Sequence, residues 1–146
     1  MEMRRGAAKA DLKAKQDYRN DCAAEAERAA IVLAEANEQS SRLGAEVAEK
    51  SKMLKLIFHK VAEGEQDAGA LAVWQTKLDD ANLNYSAART RAVVAAEESA
   101  QCQGRYNEAT QAVGAAQALV DAANAAADTA QAAAQTAALE RVRTAR

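Results

Sequence analysis

From Ala81 to Ala137 every seventh residue is small: Ala81, Ala88, Ala95, Cys102, Ala109, Ala116, Ala123, Ala130 and Ala137, a series that begins at Trp74. A seven-residue interval spans two helical turns, so these side chains share one edge of a helix. Small residues at a seam position remove the bulk that holds helix axes apart, so two helices can approach at or below the usual separation of about 8–10 Å. The companion series, Leu71, Leu78, Tyr85, Ala92, Ser99, Tyr106, Val113, Val120, Ala127 and Ala134, carries the larger side chains. Together the two series predict close, Ala-lined packing against a second helix.

Composition narrows the fold further. Leu, Ile, Val and Phe account for 22 of 146 residues, while Ala supplies 41 and Pro is absent. So few large apolar side chains exclude a large β or α/β core. Disorder is the other explanation of such a shortage, but the net charge is only −2 and the commonest residue is the best helix former. The chain is expected to be all-α. Its 19 basic and 21 acidic residues are interspersed, and a pI near 5.5 lacks the basic excess of a nucleic-acid binder.

The main break is Glu63-Gly64-Glu65-Gln66-Asp67-Ala68-Gly69, where two glycines and polar residues interrupt two periodic stretches. Upstream, alternate steps of three and four pick out Cys22, Ala26, Ala29, Leu33, Ala36, Ser40, Leu43, Val47, Lys50, Leu54, Ile57 and Val61, a heptad seam with two polar faults. The expected fold is a long antiparallel coiled-coil helical hairpin with Ala-rich close packing, one elongated domain over residues 1–146. Helix A covers about 6–62, the turn about 63–69 and helix B about 70–143. At 1.5 Å per residue the helices measure roughly 85 and 110 Å, so the last dozen residues overhang. A turn centred on Gln66 pairs Leu54 with Leu78, Val47 with Tyr85, and Leu12 with Val120. An elongated three- or four-helix bundle is the alternative, with breaks at Gly104 and Gly114 and a division of helix A between Asn37 and Gly44, where Ser40 and Ser41 are candidate caps.

Candidate functional residues fall in three places. Strong hydrophobes crowd the turn, and Met53, Leu56, Val73 and Leu83 point away from a two-helix interface by helical angle. With Phe58 they form the expected partner-binding set, because apolar patches on a monomer generally mark contacts. Between residues 111 and 139 the only charges are Asp121 and Asp128, on a stripe with Gly114, Gln117, Asn124, Gln131 and Gln135. That stripe reads either as a mild solvated face or as a subunit contact. Basic residues close and open the chain. Arg141, Arg143 and Arg146 complement the helix macrodipole, whereas Arg4 and Arg5 oppose it, and all five are candidate contacts for an acidic partner, the phosphates of nucleic acid or an anionic surface.

His59 lacks ligands at helical spacing, and adjacent Glu97 and Glu98 diverge around the helix, so no catalytic, cofactor-binding or metal-binding residue is nominated. Cys22 and Cys102 read as small seam residues too far out of line for a disulfide. Charged residues beside Met1 leave no apolar signal segment, and no stretch is apolar enough to span a bilayer. A cytoplasmic location, or one inside an intracellularly assembled particle, is expected, with the Asn84-Tyr85-Ser86 sequon idle.

In length and two-helix plan the chain resembles coiled-coil stalk proteins of type III export systems. In its Ala/Gln-rich, charge-poor helix it resembles internal or ejection proteins of tailed bacteriophages. The expected role is a non-enzymatic assembly component in a larger homo- or hetero-oligomer, with close Ala packing as its rod and the apolar turn and charge-poor helix as its contacts; the resemblances imply a virion or secretion-type particle as its setting. The different-class alternative is a soluble adaptor or chaperone that holds a partner helix at the turn.

Overall fold

A seam this regular needs two helices to close it, and the computed structural model, which describes residues 2–145, has two. Helix α1 spans Glu2–Ala62 and α2 spans Ala68–Thr144, with a single turn between them and no strand among the described residues. The fold is an all-α helical hairpin. Packing divides it into two units, one combining Met1–Glu25 with Cys102–Arg146 and the other made of Ala26–Gln101. In each, a stretch of α1 lies antiparallel to a stretch of α2.

The turn is built from two capping devices. Gly64 has φ of 77°, a left-handed conformation that costs glycine nothing and other residues about 1–2 kcal/mol. That rotation lets the Gly64 N–H donate to the Val61 carbonyl at 3.1 Å and the Glu65 N–H to the Lys60 carbonyl at 2.8 Å. These are the two bonds of a Schellman stop, which satisfy carbonyls the helix would otherwise leave unpaired. Asp67 then opens α2 as its N-cap, its carboxylate accepting from the Gly69 N–H at 3.4 Å. The chain reverses in the five residues between Ala62 and Ala68.

Burial follows the heptad positions. In the Ala26–Gln101 unit the buried residues are Ile57, Ala81, Ala88 and Ala95; in the other they are Cys22, Ala109, Val113, Ala116 and Val120. Every α1 seam residue from Cys22 to Val61 is buried or half-buried, and so is every member of both α2 series from Leu71 to Ala130. Most of this core is methyl groups. Each buried methyl or methylene contributes about 0.8 kcal/mol, so stability accrues in many small increments along the seam.

The structure corrects the sequence reading in four respects. The fold-back centres near Glu65 rather than Gln66, because α2 already begins at Ala68; the Tyr85 ring lies against Gly44, three residues before the expected Val47. A Cβ on Gly44 would sit 3.0 Å from the ring edge of Tyr85, so the missing side chain is what admits the ring. Neither helix breaks at Asn37–Gly44, Gly104 or Gly114. One glycine costs about 1 kcal/mol of helix propensity, which flanking turns held by the seam absorb. The start of α1 reaches back to Glu2. Finally, the exposed end of α2 covers the described residues from 131 to 145, slightly more than the expected dozen.

Candidate interaction surfaces

Leu54 and Leu71 lie on the seam beside the turn, and the aromatic ring one turn beyond Leu54 extends their apolar surface outward. The result is an open groove lined by Leu54, Lys55, Phe58, His59, Leu71 and Gln75. Phe58 is 59 % exposed and makes an edge contact with the His59 ring at a centroid distance of 6.5 Å. Acidic Glu63, Glu65 and Asp67 follow directly in the turn, all exposed.

The five residues expected to bind a partner do not form one surface. Leu56 stands about 200° around α1 from Phe58, so Phe58 enters the groove and Leu56 does not. Leu56, Val73 and Leu83 are exposed, while Met53 is half-buried against the hairpin. A second apolar strip lies farther from the turn, where Ile31, Val32, Val93 and Val94 are exposed and Val32 and Val94 line a groove with Ala36 and Ala95. The sequence carried a signal for it. Two adjacent β-branched residues flank a seam position on each helix, and adjacent residues cannot both enter a seam.

The basic candidates separate as well. Arg105 Nη2 reaches Glu25 at 3.8 Å, which sets the local register. Stepping equally along both helices from that pair puts Arg5 level with Ala125, beside Asn124. Arg5 is half-buried, and both its Nε and the Asn124 Oδ1 are shielded from solvent without a hydrogen-bond partner. Arg5 is therefore partly enclosed by the hairpin, while Arg4 is exposed. Arg141 and Arg143 lie about sixteen residues farther along α2, roughly 24 Å away, so these cations do not gather at one place. Arg146 lies outside the described residues.

The polar stripe of α2 is solvated except at Asn124, with Gln117 donating to Asp121 at 3.0 Å. All six threonines sit in α2, and each hydroxyl donates to the carbonyl four residues before it, at 2.9–3.1 Å. Arg105 Nη2 donates to Cys102 Sγ at 3.2 Å, and both cysteines are free thiols. The neighbouring Cys22 sulfur raises the Tyr18 phenol above its usual value, with Arg105 opposing.

Among the described residues no helix is long and apolar enough to cross a membrane, and no three His, Cys, Asp or Glu side chains cluster as a metal set. No protein-family model, curated protein or solved structure matches the chain.

Proposed function

We propose that this protein is a non-enzymatic structural subunit, a coiled-coil hairpin that works by packing into a larger oligomeric particle of the virion or secretion type. The observation that carries the reading is the separation of two kinds of surface. A methyl-lined seam consumes the small residues inside the hairpin, while Phe58, Leu56, Val73, Leu139 and Val142 remain exposed outside it. On an Ala-rich helix any of these positions would be filled more cheaply by Ala, so large apolar side chains there serve contacts beyond the hairpin. Light scattering of the purified chain tests the reading. A discrete high-order species supports it, and a monomer at all concentrations counts against it.

The turn groove supports a second reading, a soluble adaptor or chaperone that seats one partner helix over Leu54, Phe58 and Leu71. An adaptor stays monomeric or dimeric and binds its partner stoichiometrically; an assembly subunit does not stop at that size.

A further inference from the structure

We propose that the exposed end of α2, residues 131–145, docks against the turn of a second copy of this chain, giving a head-to-tail contact; the inference rests on the assembly reading and names its partner. Every described residue from Gln131 to Ala145 is exposed, although Ala134 and Ala137 continue the two seam series there. A lone helical stretch of this length is marginal in water, so a covering surface stabilises it. Leu139 and Val142, 71 % and 60 % exposed, stand three residues apart and project a compact apolar spot.

The turn offers the complement. Its groove presents Leu54, Phe58 and Leu71. The charges also match in sign: Arg141 and Arg143 on the α2 end oppose Glu63, Glu65 and Asp67 in the turn, and among the described residues no ion pair uses any of these five. The groove's own cation, Lys55, has Glu140 as counterpart. Repulsion between like turns and between like α2 ends disfavours turn-to-turn and end-to-end pairing and selects the turn-to-end contact. One such contact leaves a turn and an α2 end over, which either meet each other in a two-fold pair or repeat the contact into a ring or an open filament.

A charge-swap experiment tests this on the full chain. R141E/R143E and E63R/E65R are prepared separately, checked for unchanged helicity by circular dichroism, and compared with wild type by sedimentation velocity and light scattering at low salt. The proposal predicts that wild type self-associates as concentration rises, that each variant alone associates at least tenfold more weakly, and that their equimolar mixture regains the wild-type mass, since turns then meet α2 ends of opposite sign. Added salt weakens the wild-type assembly. Variants that assemble like wild type would overturn the proposal while leaving the assembly reading standing. A mixture that fails to recover, or weakened association of R141E/R143E with E63R/E65R unaffected, also overturns it. A wild-type chain that stays monomeric rejects this contact and any self-assembly together.

Discussion

At Gly44 an added methyl meets the Tyr85 ring at 3.0 Å, whereas nothing lies within 4 Å of the same atom built on Gly104 or Gly114. Replacing Gly by Ala in an open helix interior gains about 1 kcal/mol of propensity. Gly104→Ala and Gly114→Ala are therefore expected to raise stability by about 1 kcal/mol each in urea unfolding, and Gly44→Ala to gain less because the ring must give way. Equal gains at all three would show that Tyr85 does not press on Gly44. At Tyr18, the neighbouring Cys22 sulfur favours the protonated phenol. The stability this adds is present below pH about 10 and is lost as pH rises through the folded value. Ultraviolet titration should show the Tyr18 value fall on Cys22→Ala; an unchanged value would mean that Cys22 does not hold it up.

The elements depend on how the chain stops and restarts. Gly64→Ala forces a Cβ into a left-handed backbone and is expected to cost about 1–2 kcal/mol, and Asp67→Ala about 1 kcal/mol through the lost cap. Thermal unfolding followed by circular dichroism checks both; a neutral Gly64→Ala would mean the turn is built otherwise. The two helices and their seam are legible in the sequence, because Leu33, Ile57, Ala88 and Val120 announce their side of the helix by spacing alone. The turn's location is legible too, but its centre is not. Placing it near Glu65 instead of Gln66 depends on Gly64 taking the left-handed cap; each residue of shift in the centre moves the register by two, and the Tyr85 ring comes to rest on Gly44. The glycine breaks fail because composition marks a local weakness while the seam holds both sides of it. Among surface residues, Leu56, Val73 and Leu83 are legible by angle. Met53 is not, since its flexible side chain folds back toward the hairpin, and Arg5 is not, since its role depends on what stands opposite on α2.

For the whole molecule, one interface explains the composition. Ala is abundant because it forms helix and also fills the seam, leaving large apolar side chains at the turn, at Val32 and Val94, and on the end of α2. For function the residues support a class and no more, since no motif names a partner. The central claim is that methyl-sized residues at one heptad position bring α1 and α2 together in both packing units. Paired substitutions test it: Ala88→Leu and Ala116→Leu, at positions 1 % and 2 % exposed, against their exposed neighbours Ala87→Leu and Ala115→Leu. Urea unfolding should show the two seam variants destabilised by about 1–3 kcal/mol each, and the neighbours changed by less than about 0.5 kcal/mol. Equal effects at buried and exposed positions, or no loss at Ala88 and Ala116, would contradict the account.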